Sequence, residues 1–110
     1  MSNQENNPQQ HTQNKAVFIV FNQAHTERIE YIIDIMKIKG YTFWEDVQGR
    51  GSVTGEPRYG THTWPEMNSA ILTIIPEEVV PDLLDNIRKL DEINKDVGIR
   101  AFVWDITQAY

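Results

Sequence analysis

His62 stands two residues before the pair Trp64-Pro65, at the end of a glycine-punctuated stretch that starts at Gly49. Imidazole is the commonest side-chain ligand for transition metals and titrates near neutrality. One histidine per chain makes a poor metal site. Copies around a symmetry axis, or one histidine joined by carboxylates across an interface, make a better one. Glu45, Asp46, Glu56 and Glu66 are the acids near enough in sequence to join it, and His62 with Glu45 is the pair we single out for a divalent metal. The plainer alternative is a solvated or hydrogen-bonded loop histidine.

Gly49, Gly51, Gly55 and Gly60 would let backbone N–H groups approach an anion, with Arg58 and Arg100 as cationic partners. No G-K-S/T follows them, so this is not a Walker motif, and loose glycines commonly serve turns with positive φ. Trp64 suits a lid or contact surface, since tryptophan is enriched at interface hot spots; it would equally anchor the loop to the core, with Pro65 stiffening the way in. His25, at the start of a helical pattern, reads as a surface residue, because a cation there opposes the helix dipole. Asp82, Asp85, Asp91 and Glu92 read as a solvated helix face. There is no cysteine, no H-E-x-x-H and no Ser-His-Asp spacing, so no catalytic residue is assigned and the chain is not expected to be an enzyme.

The whole chain has 110 residues and a net charge of −6. That length suits one domain with one core. Residues 1–14 contain no Val, Ile, Leu or aromatic residue and are expected to form a disordered polar tail, leaving 15–110 as the domain. The tail lacks the basic start and apolar segment of a signal peptide. No apolar run reaches bilayer length, so no direct membrane insertion is expected. The acidic balance argues against nucleic-acid binding, which needs a basic face. Absence of cysteine makes a cytoplasmic location the default.

Residues 15–22 are dense in Val, Ile and Phe and predict a strand. Over 24–39, Ile29, Ile32, Ile33 and Met36 form one helical stripe, with Gly40 as its expected stop. Residues 41–48 and 68–75 predict two further strands. After Pro76, the stripe Val79, Val80, Leu83, Leu84, Ile87 and Leu90 predicts a second helix, with Pro81 in its first turn. Residues 99–106 predict the fourth strand. The order is β-α-β-β-α-β, which predicts an α+β ferredoxin-like sandwich: a four-stranded antiparallel sheet with two helices on one face.

The strands are apolar on both faces. Val17, Ile19 and Phe21 alternate with Ala16, Phe18 and Val20, and Phe102 and Trp104 share a face against Ala101 and Val103. Two helices cover one face only. The second demands another cover, because a large exposed apolar patch is unusual on a soluble monomer. Sheet-to-sheet packing in a homo-oligomer is the expected solution.

Several stretches resemble the nitrogen-regulatory PII signalling family. VQGRGSVTG at 47–55 is similar to the V-K-G-F-G-R-Q-K-G opening of that family's T-loop. IIPEEVVPDLLDNIRK at 74–89 resembles its third-strand-to-second-helix junction, and RAFVWDI at 100–106 resembles its last strand, K-I-F-V-F-D-V. The resemblance implies a homotrimer with ligand clefts between subunits, loops that report ligand state to a partner such as a transporter or enzyme, and Gly49, Gly51, His62, Trp64 and Arg100 as ligand-binding residues. Nitrogen regulation comes with the family name. Val53 stands where the family has the Gln that helps hold 2-oxoglutarate and magnesium, and VGIR at 97–100 replaces most of the nucleotide-binding T-G-x-x-G-D-G-K. Both departures weigh against 2-oxoglutarate and ATP. Gly60 to Pro65 resembles the G-T-H-x-W-P stretch of a divergent, short-T-loop group associated with heavy-metal efflux or tolerance. Two alternatives stay open: a metal-binding tolerance protein similar to CutA, and a cofactor-free ferredoxin-like monooxygenase.

Overall fold

The computed structural model describes residues 13–47, 67–93 and 98–110. Strand β1 (Asn14–Asn22) leads through a 3-10 turn (Gln23–His25) into helix α1 (Thr26–Ile35). Then come β2 (Thr42–Val47), β3 (Asn68–Pro76), a second 3-10 turn (Glu77–Val79), α2 (Val80–Ile93) and β4 (Ile99–Asp105). The strand order across the sheet is β2-β3-β1-β4, with every neighbouring pair antiparallel. This is the predicted ferredoxin-like arrangement. No helix of the described residues is long and apolar enough to cross a membrane.

The core lies between the helices and one sheet face. Val17, Ile19 and Phe21 of β1 and Ile71 and Ile75 of β3 meet Ile29, Ile32 and Ile33 of α1 and Leu83, Ile87 and Leu90 of α2. Both helical stripes therefore point where their spacing places them. Thr73, buried in the same sheet face, donates its hydroxyl to the Gly40 carbonyl at 2.7 Å, pinning the α1–β2 connection to the sheet.

The first helix ends earlier than its pattern predicts. Its last residue is Ile35, and the left-handed residue that closes it is Lys37 at φ 61°, not Gly40. The Lys37 amide donates to Asp34 O at 3.0 Å and the Ile38 amide to Ile33 O at 3.1 Å. These are the two bonds of a Schellman cap, and Ile38 packs on the core as the hydrophobic partner. At the other end, Asn22 Oδ1 accepts the Ala24 amide at 2.8 Å and Thr26 Oγ1 donates to Gln23 O at 2.7 Å, which tightens the lead-in into a 3-10 turn.

Strand β2 is irregular. Trp44 pairs with Ala70 and Val47 with Asn68, so β2 uses one residue more than β3 over that step. Asp46, at φ 59°, absorbs the extra residue. A bulge on an edge strand increases local twist and blunts the edge against unwanted pairing.

Candidate inter-edge site and the polar end of the sheet

One end of the sheet holds the two candidate residues that are described, Glu45 and Arg100. There β1 and β2 end while β3 and β4 begin, with Val47 opposite Asn68 and Phe21 opposite Ile99. Gly98, at φ 65°, makes the turn into β4 that only glycine takes without strain.

Gly49, Gly51, His62 and Trp64 lie outside the described residues, as do Gly55, Glu56, Arg58, Gly60 and Glu66. The two other predicted site residues are described. Glu45 is exposed in the bulge of β2, and Arg100 is exposed on β4. Across the sheet, the register runs Trp44, Ala70, Val20, Arg100. Glu45 and Arg100 thus sit on opposite edges of one sheet, three strand spacings or about 14 Å apart. Within a single chain they do not form one site. Among the described residues, no group of three or more His, Asp or Glu side chains is placed to hold a metal ion.

Between these edges lies the helix-free face. Ile74, Ala16 and Trp104 form one cross-strand row, and Thr42, Leu72, Phe18 and Phe102 another. In the single chain Trp44 is 41 % exposed, Ile74 48 %, Phe102 54 % and Trp104 48 %. Trp44 meets Phe18 edge to face, with ring centroids 6.3 Å apart. The two-faced strands predicted from sequence are therefore present, with one face packed under helices and the other presenting aromatic and aliphatic side chains.

The sequence reading missed several buried polar residues. His25 is only 3 % exposed, which corrects its reading as a surface residue. Among the described residues, neither ring nitrogen has a hydrogen-bond partner, and Asn68 Oδ1 and Ser69 Oγ, also buried, have none. Burial pushes the His25 pKa down, the nearby Arg28 charge lowers it further, and Asp91 pulls the other way without cancelling them. Asp91 corrects a second expectation. Rather than standing in solvent, its carboxylate accepts the Ile99 amide at 2.7 Å, fixing the first residue of β4 to α2. The signal for His25 was present in the spacing. Extending the stripe Ile29, Ile32, Ile33 back by one turn lands on residue 25. Ser69 likewise continues the Ile71, Thr73, Ile75 alternation.

At the opposite end of the sheet, Lys15 pairs with Asp105 across β1 and β4.

Comparison with known proteins fits this geometry. The family profile described as nitrogen regulatory protein P-II matches residues 14–110. A search of curated proteins returned no match. Among solved structures, CPII from Thiomonas intermedia, bound to ADP and bicarbonate, is 29 % identical with a TM-score of 0.66, over 84 % of this chain and 85 % of that one. CPII bound to ADP, AMP and bicarbonate is 27 % identical with a TM-score of 0.65, over 84 % and 89 %. A Shewanella baltica protein of the DUF3240 family, 11 % identical with a TM-score of 0.65 over 90 % and 96 %, shares the fold alone.

Proposed function

Because the chain belongs to the P-II nitrogen regulatory protein family, we propose that it acts as a PII-like sensor. It would form a homotrimer, bind a small ligand in clefts between subunits and pass the ligand state to a partner through the 49–67 loop. The carrying observation is the placement of Glu45 and Arg100 on opposite edges of the sheet. A cleft that uses both must be built from two chains. Self-association also covers the exposed face: Phe18, Leu72, Ile74, Phe102 and Trp104, already half-buried in the single chain, would stabilise an assembly by at most about 1.5 kcal/mol each before association costs.

The ligand class to test first is an adenine nucleotide with a small carboxylate-like anion, since CPII holds ADP, AMP and bicarbonate. In this chain Arg100 would supply the cation for phosphate, with backbone amides at Gly49 and Gly51 and the Trp64 ring beside them. A divalent metal bound by His62 and Glu45 is the competing occupant. Ligand-dependent ordering of the loop then changes the surface offered to a partner, such as a transporter or enzyme. A cytoplasmic site of action and a regulatory, non-catalytic role belong to the same reading. So does the division into a polar tail, 1–14, and a domain, 15–110.

Light scattering and calorimetry test it together. The expected mass is near three times 12.8 kDa. ADP or AMP should bind, more tightly with bicarbonate present, and Arg100→Ala should weaken nucleotide binding by about 1.5–3 kcal/mol, roughly tenfold to a hundredfold. A monomer at every concentration ends the cleft reading. Uptake of zinc or copper without nucleotide binding favours a stand-alone metal-binding protein.

A further inference from the structure

The β1–α1 corner holds a titratable group that the sensor reading does not use. His25 is the last residue of the 3-10 turn and the N-cap of α1. It is buried, and neither imidazole nitrogen has a hydrogen-bond partner among the described residues. Gln23 N–H donates to Met67 O at 2.9 Å, tying the lead-in of α1 to the residue that precedes β3.

We propose that His25 is a proton-operated latch: the neutral imidazole packs into the corner, and protonation opens it and releases the Gln23–Met67 bond. Three features of the geometry disfavour the imidazolium. A buried cation without an acceptor carries an uncompensated desolvation cost. The residue stands at the positive end of a ten-residue helix. Arg28 on α1 adds a like charge. From α2, Asp91 attracts the cation, but its carboxylate is already engaged by the Ile99 amide. The other buried polar residues among those described, Asn68, Ser69 and Thr73, are all neutral.

The direction of the pH effect follows from linkage. The folded corner binds fewer protons than the open one, so the closed state weakens as pH falls from the unperturbed histidine value of 6.5 toward the lowered folded value. Outside that window His25 adds no slope. The corner opens by up to about tenfold per pH unit within it, the limit for one proton. The proposal stands apart from the ligand reading, because it requires neither nucleotide nor metal.

The test uses the full chain carrying His11→Gln and His62→Gln, which leaves His25 as its single histidine, since the protein has three. NMR titration of that imidazole is run beside native-state hydrogen exchange at pH 7.5 and pH 5.5. Expected is a His25 midpoint below 6.5, with Gln23 amide protection falling several-fold to tenfold at the lower pH relative to the Ile19 amide in β1, after correction for intrinsic exchange. In His25→Gln that pH-dependent difference should vanish. A midpoint at or above 6.5 overturns the proposal. So does equal loss of protection at Gln23 and Ile19, which would mean global rather than corner opening. Persistence of the difference in His25→Gln also overturns it. If His25→Gln does not fold, the single-histidine chain still decides through the first two readouts.

Discussion

Lys37 holds a backbone conformation that favours glycine, and it does so to complete the cap of α1. Lys37→Gly should raise stability by about 0.5–1 kcal/mol in urea unfolding, because the left-handed strain of a side-chain-bearing residue disappears. An unchanged or lowered midpoint would mean the lysine stem contributes packing that offsets its strain. Thr73 makes the opposite case. Thr73→Val keeps the shape but removes the hydroxyl that holds Gly40, and should cost about 0.5–1.5 kcal/mol by the same assay. Legibility at this scale was mixed, and the reason is physical. Residue type suggested that His25 faces water, whereas the apolar spacing of its helix placed it inside, and spacing won. Nothing in the sequence announces that Lys37 takes the turn three residues before an available glycine, because the Schellman bonds depend on where Ile38 finds the core.

Helix α2 shows how well periodicity reads an element. Leu83, Ile87 and Leu90 are buried as their spacing requires, and Pro81 lies in the first turn, where its missing N–H costs least. Leu83→Ala should destabilise the domain by about 2–5 kcal/mol in chemical denaturation, since Leu83 is fully buried and its removal leaves a cavity. A loss under 1 kcal/mol would show that the helix shifts to refill the space. Element boundaries were less legible than element types. Both helices begin as 3-10 turns, and β2 contains a bulge, because the chain must reconcile side-chain patterns with the sheet's register. The bulge moves Glu45 off the simple alternation, so its position could not be counted out from Trp44 alone.

For the whole molecule, two apolar faces on one sheet were visible in the strand alternation, and only the structure placed the cross-strand rows. The aromatic row end at Phe102 and Trp104 is the place to test assembly. Trp104→Glu should turn an oligomer into a folded monomer in light scattering, because a buried charge without a partner costs far more than lost area. A variant that keeps its full mass would remove this face from the interface. The chain termini of the site were legible only as residue types. Whether Glu45 and Arg100 share a cleft depends on strand order, and the sequence encodes that order only through long-range pairing.

The separation of the β2 and β4 edges has a genetic consequence. A chain disabled on one edge, Trp44→Ala with Glu45→Ala, and a chain disabled on the other, Arg100→Ala, should each bind at least about tenfold more weakly when pure, too weakly to register at ligand concentrations that just saturate the unaltered protein. In the proposed homotrimer, every mixed ring co-assembled from equal amounts would regain a single intact junction, where a sound β2 edge faces a sound β4 edge. Random mixing therefore restores on the order of a quarter of the full binding capacity, and two damaged alleles would complement each other in one cell.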